Sequence, residues 1–154
     1  MHTTGELSVP SGVTLGLTAA DKTASNTLDD YEEGSFSPGF SGDSSSGSYG
    51  YSRQAGRYTK IGNVVYFQLY VIANAVNANA TGNTLVTGLP FNPTGGNDYP
   101  AACIGYYNNW NNIVPSQALL DVNNPRIYIY RNNNSSGVQG SSPTDITTNT
   151  AIII

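Results

Sequence analysis

The clearest alternation of apolar and polar positions runs from residue 64 to residue 73 and predicts a β-strand. One face of this strand is wholly apolar and consists of Val65, Phe67, Leu69, Val71 and Ala73. The opposite face mixes aliphatic, tyrosine and glutamine side chains and carries no charge. We expect the first face to meet the domain core. A second sheet or a second subunit is expected to cover part of the other face, which would otherwise expose an apolar strip.

Further short segments of the same kind predict an all-β protein. Gly62 and Asn63 predict a turn that pairs residues 57–61 with the main strand as a hairpin. Other strands are predicted at 84–87, 101–107, 113–114, 117–122, 126–130 and 144–148, and no segment predicts a useful helix. This pattern indicates an antiparallel β-sandwich or a jelly-roll-like domain. Residues 39–52 and 132–142 are predicted to be loops, and the terminal Ile152–Ile154 are expected to be buried between subunits.

The first 27 residues differ from the rest because they show no strong periodicity. We interpret residues 1–27 as an extended N-terminal arm or attachment segment, and residues 28–154 as the β-domain. Pro10 confines any strand in the arm to an edge or a strand start. An arm of this kind buries little surface by itself, so we expect it to contact a neighbouring subunit or another protein.

The composition narrows the range of partners. The chain has 154 residues, of which only 10% are charged, and its net charge is −4. A shortage of clustered Lys and Arg argues against nucleic acid or an anionic membrane surface as a partner. No run approaches the roughly 20 apolar residues of a membrane span, so membrane insertion is not expected.

The sequence offers little material for catalysis. His2 is the only histidine and Cys103 the only cysteine, which argues against a Ser-His-Asp or Cys-His system and against a zinc site. We therefore predict no enzyme activity, no metal and no cofactor, and we expect Cys103 to be a small buried apolar residue. A glycosidase is the alternative, and its paired carboxylates would have to come from different subunits.

The densest group of charges lies at the start of the predicted β-domain. It contains four of the ten acidic residues, namely Asp29, Asp30, Glu32 and Glu33. Residues 51–63 contain three of the six basic residues, namely Arg53, Arg57 and Lys60. We predict that the two segments pair as a structural charge cluster. A solvated acidic turn without a specific partner, or a bound hard cation such as Ca²⁺, is the alternative.

Tyrosine is the residue type that best suggests a binding surface. The chain has 11 tyrosines and one tryptophan, many beside Asn, Ser and Gly. An aromatic ring can stack on the apolar face of a sugar, while amides can bond its hydroxyls. The candidate ligand-binding residues are Tyr49, Tyr51, Tyr106, Tyr107, Trp110, Tyr128 and Tyr130. We single out Trp110, because a tryptophan among four asparagines is poorly placed for the core of a monomer. The alternative role for the tyrosines is cross-strand pairing.

Three segments in this order resemble a recurring domain of bacteriophage tail fibres and tailspikes. They are the acidic motif in residues 28–38, the Tyr-x-Lys-Ile-Gly turn in residues 56–65 and the Gly-Leu-Pro-Phe segment in residues 86–91. The resemblance covers roughly residues 26 to 95. Phe36 stands where the family usually has Trp, and from about Tyr99 onward no family motif is recognised.

The resemblance implies a non-enzymatic phage virion protein that recognises a host surface glycan as a homotrimer. Its expected location is the virion, on the phage tail or capsid surface. The expected partners are other copies of the chain, other virion proteins contacted through the arm, and a host surface polysaccharide. A capsid decoration or cement protein that stabilises the phage head is the alternative, because 27 residues form a short anchor for a tail fibre. The copy number on the particle and the contacts of the arm distinguish the two.

Overall fold

The structure, a computed structural model, describes residues 13–14, 27–28, 31–93, 99–111, 113–122, 124–133 and 137–154. In chain order its strands are β1 (Val13–Thr14), β2 (Thr27–Leu28), β3 (Tyr31–Phe36), β4 (Gly39–Gly42), β5 (Ser48–Ile61), β6 (Val64–Ala78), β7 (Thr84–Thr87), β8 (Ala101–Ala102), β9 (Tyr106–Trp110), β10 (Pro115–Leu120), β11 (Arg126–Asn133), β12 (Gly137–Gly140) and β13 (Ile146–Ile153). A one-turn 3₁₀ helix, Pro143–Asp145, precedes β13. The predicted all-β fold is confirmed. None of the described residues belongs to a helix capable of crossing a membrane.

The strands form two larger sheets. One sheet has five strands in the order β3-β5-β6-β13-β9. The other has the order β4-β7-β11-β10-β8, with β12 added beside β11. Each described pairing is antiparallel. The last strand, β13, lies between β6 and β9, so the C-terminus is in the interior of its sheet. The predicted antiparallel β-sandwich is therefore confirmed.

The chain divides into two compact units. The hairpin unit comprises residues 1–34 and 58–67, and the main unit comprises residues 35–57 and 68–154. Long strands such as β5 and β6 contribute residues to both. Within the hairpin unit, the predicted turn at Gly62 and Asn63 is confirmed, and Gly62 has a φ of 58°. That left-handed conformation suits glycine, which has no Cβ to clash with the backbone.

The core of the main unit lies between the two sheets. From the five-stranded sheet it takes Leu69, Val71, Ala73 and Ile152, and from the other sheet Val86, Ala118, Ile127 and Ile129. Phe40 of β4 meets Trp110 of β9 across the interior at 5.9 Å between ring centroids. The apolar face predicted for β6 is thus buried at positions 69, 71 and 73, as its alternation indicated.

Two segments predicted to be loops are largely strands. Residues 39–52 form β4 and the start of β5, and residues 132–142 contain the end of β11 and all of β12. In the first case, glycine allows close packing of backbone on backbone. A Cβ on Gly42 would lie 2.2 Å from the carbonyl oxygen of Thr81. The glycines of this segment therefore allow a strand to approach its neighbour closely.

The strands predicted at residues 101–107 and 113–114 differ from those in the structure. The segment 101–107 is split between β8 and β9, which belong to different sheets, and residues 113–114 are not a strand. Cys103 lies at this split and is exposed, so its predicted burial is wrong. Ile152 and Ile154 are buried within the single chain, because β13 lies between β6 and β9 in its sheet. Subunit contacts are not needed to cover them.

The predicted N-terminal arm lies mostly outside the described residues. Its described part is Val13 and Thr14 of β1, which pair with Leu28 and Thr27 of β2. The predicted boundary between residues 27 and 28 stays a prediction.

Candidate functional site

Three of the seven candidate ligand-binding residues form an aromatic cluster inside the main unit. Tyr49, Tyr51 and Trp110 each pack against Phe40, with ring centroids 6.2, 6.4 and 5.9 Å away. The Tyr51 hydroxyl accepts a hydrogen bond from the Phe40 backbone N–H at 2.7 Å and donates to its carbonyl at 3.3 Å. Burial raises the pKa of both Tyr49 and Tyr51, which keeps these phenols neutral. Their packing stabilises the sandwich.

Trp110 was expected to lie outside a monomer core, and that expectation is wrong. Its side chain is only 8% exposed, and its Nε1–H donates to the Ala151 carbonyl at 3.0 Å. The cause is a register shift between β9 and β13. Asn109 has a left-handed φ of 53°, and its carbonyl accepts a hydrogen bond from the Thr150 hydroxyl at 2.6 Å. This irregularity turns the following residue, Trp110, toward the core.

Tyr106 and Tyr107 lie next to each other on the edge strand β9, and they face opposite sides of the sheet. Tyr106 pairs with Ile153, while Tyr107 pairs with the fully buried Ile152. Residues directly opposite in an antiparallel pair share a face. Both tyrosines are nearly half exposed, at 46% and 42%. They do not combine into one binding surface.

Tyr128 and Tyr130 are the candidates that the fold brings together on the outside of the main unit. Ile127 and Ile129 of β11 are fully buried, so the alternate residues face outward. The two tyrosine rings are 6.2 Å apart at their centroids and tilted by 43°. The register with β10 places Leu119 beside Tyr128 and Gln117 beside Tyr130. We call Gln117, Leu119, Tyr128, Tyr130 and Asn132 the tyrosine surface.

A polar network fixes one end of the tyrosine surface. The Arg126 Nε–H donates to Asp121 at 2.5 Å, and the Arg126 Nη2 donates to the Tyr128 hydroxyl at 3.2 Å. The guanidinium also lies over the Tyr128 ring, 5.5 Å from its centroid. The hydrogen bond that Arg126 donates to Asp121 raises the pKa of Arg126, and burial raises the pKa of Tyr128. Tyr128 is therefore an oriented, neutral phenol. Sequence reasoning missed Arg126 and Asp121, although the short spacing between a turn Asp and a strand Arg was visible.

Asp43 holds the turn beside β7 through its hydrogen bonds to Asn83. Its carboxylate accepts hydrogen bonds from the Asn83 backbone N–H and side-chain amide, both at 2.8 Å. Burial acts to raise the pKa of Asp43, but the hydrogen bonds from Asn83 prevail and lower it below its ordinary value. A carboxylate that stays ionised in this way is a poor general acid. Its role is to join two turns.

The acidic cluster is only partly described. Asp29 and Asp30 lie outside the described residues. In the hairpin unit, Glu32 accepts a hydrogen bond from the Tyr58 hydroxyl at 2.5 Å, and Glu33 accepts one from Tyr31 at 3.0 Å. Those bonds raise the pKa of both phenols. β3, which carries Glu32 and Glu33, is the neighbour of β5 in the strand order of their sheet.

The predicted charge pairing and the absence of metal stay predictions. Arg53 and Arg57 belong to the main unit, whereas Glu32, Glu33 and Lys60 belong to the hairpin unit. Arg53 lies over the Tyr70 ring, with its guanidinium carbon 4.9 Å from the ring centroid. Within the described ranges, no group of three or more His, Cys, Asp or Glu residues is arranged to hold a metal ion.

Comparison with solved structures relates the fold to a phage protein. The chain is similar to the Dettilon tailspike protein, whose crystal structure superposes with a TM-score of 0.65 at 22% sequence identity. The similarity covers 80% of this chain and 22% of that protein. The chain thus spans about a fifth of the length of the tailspike, and the likeness is one of fold. No protein-family model matches this sequence, and no curated protein matches it.

Proposed function

We propose that this chain is a non-enzymatic domain of a phage tail-fibre or tailspike protein, which assembles as a homotrimer and binds a host surface glycan through the tyrosine surface. The fold likeness to a tailspike protein supports the tail-associated part of this proposal. Three sequence segments that resemble tail-fibre head domains agree with it. The proposal concerns a domain, because the similarity spans only part of the tailspike chain.

The observation that carries glycan binding is the outward pair Tyr128 and Tyr130. Their rings are close, tilted and partly exposed, so each can offer a face to a saccharide ring. Gln117 and Asn132 place amides on the same outward face, and an amide can both donate to and accept from sugar hydroxyls. Arg126 limits the rotation of Tyr128, which reduces the entropy lost when a ligand binds.

Removing the tyrosine pair is expected to abolish most of the glycan affinity. Compared with wild type, the double variant Tyr128→Ala/Tyr130→Ala should bind a bacterial surface polysaccharide at least about tenfold more weakly. The reason is that hot-spot aromatic residues each contribute more than about 1 kcal/mol to binding. An array of O-antigen and capsular polysaccharides first identifies one that the wild type binds. Titration of wild type and variant with that polysaccharide then measures the two affinities.

The matched control is Tyr107→Ala, which removes an exposed tyrosine from another strand. It should leave the polysaccharide affinity within about twofold, as expected for a residue outside the contact. Equal losses in the double variant and in the control would contradict the tyrosine surface as the binding site. A wild type that retains none of the polysaccharides, or that shortens them, would count against the proposed function itself.

Oligomeric state is the second part of the proposal that can be measured. Light scattering of the purified chain is expected to give three times the chain mass of 16.3 kDa. Removal of residues 1–27 should leave the trimer intact if the β-domain provides the assembly contacts. A monomeric mass for the full chain would contradict trimerisation.

The capsid-decoration alternative makes a different prediction about location. A cement protein would be present at many copies on the phage head, with its arm on the coat protein. Labelled antibodies against this chain, viewed on intact particles, should instead mark the tail. Labelling of the head would contradict the tail proposal and favour the capsid-decoration alternative.

A further inference from the structure

A groove lies on the outer face of the five-stranded sheet, within the main unit and apart from the tyrosine surface. Its volume is about 280 Å³. Three neighbouring strands supply its lining residues, which are Arg53, Ala55, Arg57, Gln68, Leu69, Tyr70 and Ile153. The volume is close to the lower end of the roughly 300–1,000 Å³ found for ligand pockets. A small chemical group, such as one saccharide residue, therefore suits it better than a large ligand.

Strand alternation explains why two arginines converge on this groove. Arg53, Ala55 and Arg57 occupy alternate positions of β5 and share one face. Gly56 faces the other way, where a Cβ would lie 2.5 Å from the Phe36 ring. Ala55, whose side chain is short, lines the groove at the position between the two arginines. A larger residue at position 55 would fill part of the groove.

The neighbouring strands add a neutral, partly apolar wall. Tyr70 of β6 lies directly opposite Ile153 of β13 in the register, so the two side chains share the outer face. Arg53 is positioned by its stacking on the Tyr70 ring at 4.9 Å. Gln68, two residues before Tyr70, contributes an exposed amide to the same face.

Neither Arg53 nor Arg57 of the groove forms an ion pair with a described carboxylate. Arg126 provides the contrast, since its Nε bonds Asp121. Two unpaired guanidinium groups in one groove, in a chain with a net charge of −4, form a local site of the opposite sign. An anionic ligand would supply the negative charge that complements the two arginines.

We propose that this arginine groove binds a sugar residue that carries an anionic group, such as the carboxylate of a uronic acid. The planar fork of Arg57 matches a carboxylate in a bidentate manner, and Arg53 adds a second positive charge. Tyr70 and Ile153 offer apolar surface to the sugar ring, and the Gln68 amide bonds a hydroxyl. The site is separate from the tyrosine surface, so the inference stands or falls independently of that proposed site.

The test is calorimetric titration of the full chain with an oligogalacturonate. The comparison ligands are its methyl ester, which removes the negative charges, and inorganic phosphate, which is an anion without a sugar ring. We expect the oligogalacturonate to bind, and Arg57→Gln to weaken that binding at least about tenfold, because hydrogen bonds to charged groups contribute about 1.5–3 kcal/mol. Arg57→Lys should lose part of the affinity, since it retains the charge but not the fork.

Lys60→Gln is the control, because it removes the same charge at a position that does not line the groove. It should change the affinity by less than about twofold. Equal losses in the Lys60 and Arg57 variants, or equal binding of the ester, would overturn the proposal. So would phosphate binding as tightly as the oligogalacturonate, or dissociation of an oligomer by Arg57→Gln, which would identify the groove as an interface between copies. The Tyr128→Ala/Tyr130→Ala variant should bind oligogalacturonate as tightly as wild type. The proposal for the arginine groove can therefore be contradicted separately from the proposal for the tyrosine surface.

Discussion

Replacing Trp110 with alanine is expected to lower the free energy of unfolding by about 3–5 kcal/mol, as for other buried aromatic-to-alanine changes. Trp110 is almost fully buried and packs edge-on against Phe40. Its loss leaves a cavity between the sheets and removes the N–H that the Ala151 carbonyl accepts at 3.0 Å. A loss of this size is a large share of the roughly 5–15 kcal/mol of a typical domain.

Urea denaturation at one fixed protein concentration measures this effect, because the stability of an oligomer depends on concentration. Trp110→Phe separates the two contributions: it retains a ring and should lose far less, mainly the hydrogen bond of about 1 kcal/mol. Tyr107→Ala, on the same strand but exposed, should cost no more than about 1 kcal/mol. If Trp110→Ala costs as little as Tyr107→Ala, the side chain does not lie in the core.

Replacing Gly47 with alanine is expected to have the second large effect, a loss of about 2–5 kcal/mol. Gly47 has a left-handed φ of 64°, which costs alanine about 1–2 kcal/mol. In addition, a Cβ at this position would lie 2.5 Å from the Ala80 backbone nitrogen and 2.7 Å from the Ala78 carbonyl oxygen. Backbone cannot rotate away as a side chain can, so the two segments must separate, at a further cost of about 1–3 kcal/mol.

Gly62→Ala is a matched control for the conformational part of this effect. Gly62 has nearly the same φ, 58°, but a Cβ there would meet nothing within 4 Å. Its substitution should cost only the left-handed strain of about 1–2 kcal/mol. The difference between the two variants, measured by urea denaturation, isolates the backbone contact. Equal losses in both would contradict a close approach between Gly47 and the segment at Ala80.

The strand signals that could be read from the sequence were those with a local cause. The alternation of residues 64–73 correctly predicted a strand, and the apolar face is buried at 69, 71 and 73 but only partly at 65 and 67. Strand geometry alone places alternate side chains on opposite sides. Gly62 and Asn63 correctly predicted the hairpin turn, because a tight turn needs residues that tolerate left-handed conformations. The strands predicted at residues 84–87 and 126–130 were found for the same local reason.

The glycine-rich segments show where composition alone misleads. Gly42 and Gly47 lie in the segment 39–52 that was predicted to be a loop, because glycine and serine are typical of linkers. In the folded chain both glycines lie against the backbone of residues 78–81, at distances that exclude a side chain. Whether a glycine provides freedom or close packing depends on what lies beside it. The neighbour here is more than 30 positions away in the sequence.

For the candidate site, too, some properties follow from the sequence and others only from the tertiary structure. The sequence by itself determined that the chain is rich in tyrosine and asparagine and that only 10% of its residues are charged. Only the tertiary structure decided that Tyr49, Tyr51 and Trp110 support the core, while Tyr128 and Tyr130 share an outer surface and Arg53 and Arg57 share a groove. The physical reason is register. The side on which a residue lies follows from its own strand, but its neighbours follow from which distant strands pair with it, and that pairing is set by burial of the whole core.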